Sequence, residues 1–424
     1  MTPEIEQRIE QIRRGEVPEG YEKKRTVVIP QQWRLPQIKD IASISSGSTP
    51  NRNNSEYWNG NIPWVTTGEL SSGHVNYTSE LITVKAVKEA KMRIYPQGTL
   101  LMAMYGQGKT RGTVAILEID AAVNQACAAI TVKDGKSKFL FYQLKNSYQD
   151  IRKLSNTGNQ ENLNADIIKT YQVPWAPDEE QERISTILTT QDRVIELKEK
   201  RLAEKQRQKK YLMQQLLTGK KRLPGFSGEW KNIKLCEVLS ERKEKNVEQN
   251  LRICSVAVLK GVVDQVEHLG RSYAANDTSN YSVAHYGDII YTKSPTGDFL
   301  YGIVKQNLLQ ETVAVSPLYG VFTPMTFGLG YFLHTYFQSA ICARNYLLPI
   351  VQKGAKNTIN ITNDTFISSK LYLPLDVEEQ KAIADTFIAA DREINLLQQD
   401  IEQEKQKKKA LMQLLLTGVV RVTI

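Results

Sequence analysis

The chain has 424 residues, enough for two ordinary cores plus connecting elements. Hydrophobic residues make up 41% and charged residues 24%, a globular composition, and no apolar run approaches the about 20 residues that a bilayer crossing needs. The net charge of +9 favours a polyanionic partner, because lysines and arginines that displace counterions supply most non-specific affinity for nucleic acid.

The opening segment, residues 1–32, begins with an amphipathic, charged stretch (Met1 to Glu16) that lacks the apolar centre of a signal peptide, so a helical extension and a cytoplasmic location are expected. Residues 33–176 follow as a first domain of short Val/Ile/Thr/Tyr runs broken by Gly, Asn and Pro, which predicts a mixed α/β fold with irregular, loop-rich sheets. Residues 177–222 read as a long helix that starts after Pro177 with acidic residues and ends at Thr218-Gly219. Residues 223–374 repeat the loop-rich pattern, and 375–424 repeat the helix, from Pro374 to Thr417-Gly418.

An internal repeat organises this order. Glu179-Glu180-Gln181 recurs as Glu378-Glu379-Gln380, 199 positions later, and the same offset carries Asp192-Arg193 onto Asp391-Arg392 and Leu212-Met213-Gln214 onto Leu411-Met412-Gln413. No gap is needed, and since an insertion would rotate a helix's apolar stripe, the register itself is under constraint. Steps of four and three residues pick out Ile184, Leu188, Ile195, Leu202, Leu212 and Leu216 in the first helix. In the second they pick out Ile383, Phe387, Ile394, Leu397, Ile401, Leu411 and Leu415. This is a heptad seam, apolar at both ends and charged in the middle, where Lys198, Lys205, Glu404 and Lys408 are candidate register-setting groups. A helix of about 40 residues is about 60 Å long, too long for one globular half to bury, so the two helices are expected to pack on each other. Spacing alone leaves parallel and antiparallel pairing open; a two-fold relation between the repeats would make them antiparallel. Ile187, Val194 and Leu217, off the seam, are expected to be exposed and available to partners.

The segments before each helix are also distant copies. Trp33 opens one and Trp230 the other, and Gly98-Thr99-Leu100-Leu101-Met102 matches Gly287-Asp288-Ile289-Ile290-Tyr291, each a strand leading into a glycine-containing loop.

Several patterns point to catalysis and fail. Gly106-Gln107-Gly108-Lys109-Thr110 has the end of a phosphate-binding loop, but the position that requires the first glycine is Ala103. Glu196 and Lys198 lie two apart on a helix and share no face, so they do not jointly hold a metal. The four cysteines and four histidines show no metal-ligand spacing. No Pro-Pro exists anywhere, so the Asp/Asn-Pro-Pro-Tyr/Phe segment by which amino-methyltransferases resemble one another is absent.

The candidate nucleic-acid contacts are loop residues. Thr66 and Thr67 follow a strand; Lys109, Thr110 and Arg111 lie in the glycine loop; Asn159, Gln160 and Asn162 precede the first helix. In the second half they are Lys293, Thr296, Lys356, Asn357 and Asn360. Asn and Gln form paired hydrogen bonds with adenine, and Lys or Arg with guanine. Ordinary turn chemistry accounts for Asn, Gly and Thr equally well. Trp64 and Trp230 are expected in the core.

Taken in order, these features resemble the specificity subunit of type I restriction-modification enzymes. The resemblance covers essentially the whole chain and rests on Gly47-Ser48-Thr49-Pro50, Tyr57-Trp58 and Ile62-Pro63-Trp64-Val65, on a proline then Glu-Glu-Gln opening each long helix, and on the repeated Leu-Leu-Thr-Gly end. It implies two mixed α/β target-recognition domains, an antiparallel helix pair, and no catalysis by the chain alone. Each domain would read half of a split duplex DNA target, while the helices set the unread spacer and dock two methyltransferase subunits. S-adenosylmethionine would belong to the modification partner, and ATP with Mg²⁺ to the translocating restriction partner; no cofactor is expected on this chain, nor any membrane. The second domain departs from the pattern, with Val256-Ala257-Val258 in place of Pro63-Trp64-Val65. A scaffold without DNA affinity and a self-sufficient nuclease or methyltransferase are the rival readings. The first leaves two basic, divergent domains unexplained; the second lacks a site.

Overall fold

A computed structural model describes residues 2–106, 108–154, 162–271, 274–353 and 359–422, with the backbone alone at 352, 353, 359 and 360. Two compact units emerge, one of residues 1–198 with 400–424 and the other of 199–399. The boundaries differ from the linear division expected from the sequence, because each long helix contributes to both units. Those helices run Asp178–Leu216 and Val377–Leu415. Among the described residues no helix is long and apolar enough to cross a membrane.

In the first unit a five-stranded sheet has the order Ala42–Ser46, Cys127–Val132, Leu100–Ala103, Val114–Leu117, His74–Val75. A second sheet of three strands combines Glu80–Ile82, Trp58–Val65 and Ala122–Val123. The other unit repeats the first four places of that order with Leu239–Glu241, Gly320–Pro324, Ile289–Tyr291 and Val304–Gln306. The matched glycine segments thus lead into equivalent strands, and the weak repeat before each helix is structural. The first unit also holds a helix, Pro3–Arg13, and a hairpin pairing Tyr21–Lys24 with Val27–Pro30, so the opening segment contains a strand pair besides the expected helix.

Each unit takes the beginning of one long helix and the end of the other. Ile184 and Leu188 share a core with Met412, Leu415 and Leu416 around Trp33, Phe139 and Trp175. Leu216 and Leu217 share one with Ile383, Ala384 and Phe387 around Trp230 and Phe332. The apolar ends of the predicted seam are therefore parts of the domain cores. Leu217, expected to be exposed, is only 5% accessible, and Ile187 packs on the first core. The reason is the helix end: the seam residues there face a sheet-backed domain, which covers a wider arc than a lone partner helix does.

Toward the middle the packing thins and charge takes over. Ile195 and Ile401 are buried, while Leu202, Leu212, Ile394, Leu397 and Leu411 are half-buried. In the first unit Lys198 reaches Asp400 at 2.8 Å and Glu404 at 2.9 Å, and Gln191 Nε2 donates to Glu404. In the second unit Lys205 meets Glu393 at 2.9 Å and Lys209 meets Asp391 at 2.5 Å. In each unit higher numbers on one helix face lower numbers on the other, so within each unit the two helices run antiparallel.

Each unit is locked by a buried carboxylate. Glu180, 2% exposed, accepts from the Trp33 indole at 2.9 Å and from Arg421 Nε at 2.8 Å. Glu379, 1% exposed, accepts from the Trp230 indole at 3.1 Å and from Arg222. Each arginine lies just past a Thr-Gly helix end. There Gly219 and Gly418 adopt positive φ, and a Cβ on Gly418 would fall 2.6 Å from Pro30. Left-handed backbone and close approach both require glycine.

Removing the arginine leaves a buried carboxylate short of charge-assisted donors, so Arg222→Ala and Arg421→Ala are each expected to cost about 1.5–3 kcal/mol in urea unfolding. Arg222→Lys, which keeps the charge without the fork, should recover only part. Glu404 makes stability sensitive to acid. Hydrogen bonds from Lys198 and then Gln191 hold its carboxyl down at about 2. A depressed carboxylate adds stability above its unfolded pKa and loses it as pH falls through the folded value. Thermal melts from pH 5 to 2 should therefore show a decline that is shallower in Glu404→Gln.

Candidate nucleic-acid interface

The strand Leu100–Ala103 runs into the loop that contains Lys109, and main-chain hydrogen bonds gather other loops at that end of the sheet. Met104 N–H donates to Ala126 O at 2.8 Å, Leu163 N–H to Met104 O at 2.9 Å, and Asn124 N–H to Val65 O at 2.9 Å. Gly47 N–H donates to Cys127 O at 3.3 Å. The structure thereby brings Thr66, Thr67, Lys109, Thr110, Arg111 and Asn162 to one loop cluster, although they are spread over nearly a hundred positions of sequence.

Their states differ. Lys109 is exposed and makes no ion pair among the described residues, as a group meant for an external anion would stand. Thr110 is half-buried, and Arg111 is only 7% exposed. Thr66 closes a capping box with Glu69, its N–H donating at 2.6 Å and its hydroxyl at 3.1 Å, so its donors are spent on the short helix Thr67–Ser72. Thr67 and Asn162 are half-buried. Asn159 and Gln160 lie outside the described residues.

The Lys109 loop is braced from behind by the helix Tyr148–Lys153. Tyr148 Oη donates to Lys109 O at 2.7 Å, and Arg152 Nη1 donates to Arg111 O at 2.8 Å. The loop then enters the strand Val114–Leu117, not a helix, so the phosphate-binding-loop context is missing. Sequence reasoning missed these braces and also Thr49 with Gln125, which hydrogen-bond across the cluster. Arg52 lies over Trp58 at 4.1 Å and over Trp64 at 4.9 Å while it forks onto Glu80. That ion pair pulls the Glu80 carboxyl down. Beside it Asn59 has a φ of 60° and Gly60 sits at a bulge, a local strain that the strand pattern did not announce. Trp64, at 1%, and Trp230, at 3%, are core residues as expected.

In the second unit Lys293 follows the equivalent strand, at a φ of 56°, and burial lowers its pKa against the opposing pull of Glu241. Asn363 donates to that same Glu241, and a Cβ on Gly302 would fall 2.9 Å from Lys293 N, so these loops crowd one sheet end as well. Thr296 is exposed and bridges to Phe299. Lys356 and Asn357 lie outside the described residues, and for Asn360 only its backbone pairing with Gln352 is described. Among the described residues no group of His, Cys, Asp and Glu has metal-binding geometry, and the four cysteines are unpaired.

Comparison with known proteins agrees with this twofold architecture. The family model described as type I restriction modification DNA specificity domain matches residues 30–206 and again 229–406. The MjaIX specificity subunit of Methanocaldococcus jannaschii is 36% identical over 178 residues, which is 41% of this chain and 40% of that protein. The MjaVIII specificity subunit of the same organism is 23% identical over 438 residues, covering 95% of this chain and 96% of the relative. In fold, the S subunit of a type I restriction-modification system from M. genitalium superposes with a TM-score of 0.58 at 11% identity, over 95% of this chain and 99% of that one. A chain from a study of complex assembly and conformational transition of the type I system gives 0.53 at 14% identity, over 92% and 99%. The chain belongs to the type I restriction-modification DNA specificity family, of which it carries two domain copies and whose members are the non-catalytic, DNA-recognising components of those complexes.

Proposed function

We propose that this chain reads a bipartite, asymmetric duplex DNA target, one half-site per domain. The observation that supports this most directly is that one sheet order occurs twice with a polar loop cluster at the same sheet end, while the residues in the two clusters differ. Shared architecture with divergent loops suits two readers of different bases. In unit 1 the exposed Lys109 would meet a phosphate or a guanine edge, and Gln125, whose Oε1 accepts from the Thr49 hydroxyl, would offer its amide N–H groups to a base. Arg111 and Thr66, one buried and the other locally bonded, would shape the loops instead of reading bases. Lys293 and Thr296 lie at the corresponding place in unit 2.

The paired helices would set the unread spacer and dock two methyltransferase subunits, with restriction and translocation subunits joining through that complex in the cytoplasm. S-adenosylmethionine would then belong to the methyltransferase, and ATP with Mg²⁺ to the translocase. The contribution of this chain would be positioning and sequence discrimination, without covalent chemistry.

The test is to sequence modified bases in DNA from cells that express this chain with its neighbouring methyltransferase, against each protein alone. A split motif that requires both proteins is expected. A variant with four residues inserted in the 198–209 stretch adds about 6 Å of helix, so it should keep both half-sites and change their separation by one or two base pairs. Methylation that ignores the chain would overturn the reading, and an unchanged gap would remove the spacer role.

A further inference from the structure

The repeat makes the two long helices equivalent at every position, yet their central residues are not alike. At the outer positions the equivalence is kept: Asp192 binds Lys408 and Tyr142 in unit 1, and Asp391 binds Lys209 and Tyr331 in unit 2. Between them the charges differ, reversing in sign at two positions and replacing an apolar residue at two others. Arg201 and Lys205 on the first helix correspond to Asp400 and Glu404 on the second; Lys198 corresponds to Leu397, and Val194 to Glu393. The ion pairs follow these differences, with Lys198 held by Asp400 and Glu404, and with Glu393 reached by Lys205 and by Arg201 at 3.4 Å.

Carrying those pairings through the repeat shows what two identical helices would do. Two first helices would set Lys198 of each against Arg201 and Lys205 of the other, all positive. Two second helices would set Glu393 against Asp400 and Glu404, all negative. The outer Asp–Lys pairs would form in either case, since they are common to both repeats, and the apolar ends would also match. Only the centre distinguishes the combinations, and charges flanking a helix seam are the groups that decide partner choice.

We infer that these central charges make each long helix accept only the other as its partner, so that two copies of this chain do not join through identical helices. The two domains sharing a helix pair are then always unlike. If the proposed DNA reading holds, this excludes a palindromic target built from two copies of one domain; the pairing rule itself does not depend on that reading.

Full-length variants test it by stability, without DNA. The first makes the second helix like the first: Glu393→Val, Leu397→Lys, Asp400→Arg, Glu404→Lys. Its mirror makes the first like the second: Val194→Glu, Lys198→Leu, Arg201→Asp, Lys205→Glu. The third carries all eight changes and restores opposite signs with the helices exchanged. Each one-sided variant should melt about 5 °C lower at low salt, with the deficit shrinking in 1 M NaCl, where the Debye length is about 3 Å. The eight-residue variant should return to within about 2 °C of the parent. One-sided variants as stable as the parent would overturn the inference, and so would an eight-residue variant no better than they are. A deficit that salt leaves untouched would also overturn it, by assigning the loss to packing.

Discussion

A buried carboxylate with too few donors of its own is the constraint on which the architecture depends. Glu180 and Glu379 each sit in the first turn of a long helix, almost without solvent. Each needs charge-assisted hydrogen bonds, and each obtains them from an indole of its own domain and an arginine past the end of the other helix. In the first unit that arginine comes from the separate segment 400–424, and in the second it lies within the continuous stretch 199–399. The start of one helix and the end of the other must therefore meet in every unit, and antiparallel pairing follows. The chain ends obey the same rule, since Tyr21 and Arg8 donate to carbonyls of Gly418 and Val419 beside the clasp.

From this lock the rest of the structure can be ordered by how firmly it is tied. Helix ends belong to domain cores and bury large apolar side chains. Helix centres carry half-buried leucines and ion pairs, which are individually worth little in water but set sign and register. The candidate DNA-contacting loops gather at one sheet end, where main-chain bonds and braces such as Tyr148 and Arg152 fix their course and leave Lys109 exposed. Packed elements thus hold the loops that carry Lys109 and its neighbours.

Much of this was legible in the residues. The 199-residue offset, the helix limits and the mixed α/β character of both domains follow from periodicity and composition, because those signals are local and the repeat doubles them. The exposure of Leu217 was misjudged, since a heptad walk does not reveal that a helix end lies against a sheet-backed core. The candidate site was only partly visible. Lys109 could be found from a glycine loop, but Gln125, Arg52 and the braces depend on contacts between distant segments. The burial of Arg111, next door to the exposed Lys109, has no sequence signal at all. Glu180 and Glu379 appeared as ordinary acidic residues favoring a helix start; their tertiary role emerges only when Trp33 and Arg421, or Trp230 and Arg222, are seen to converge.

One half-site per unit is the central proposal. Its most direct test replaces residues 33–176 with the corresponding domain of another specificity subunit, keeps both long helices, and maps the methylated motif with the same methyltransferase. One half of the motif should change while the other half and the unread gap stay as they were. Change in both halves, or in neither, would contradict the assignment of one half-site to each domain.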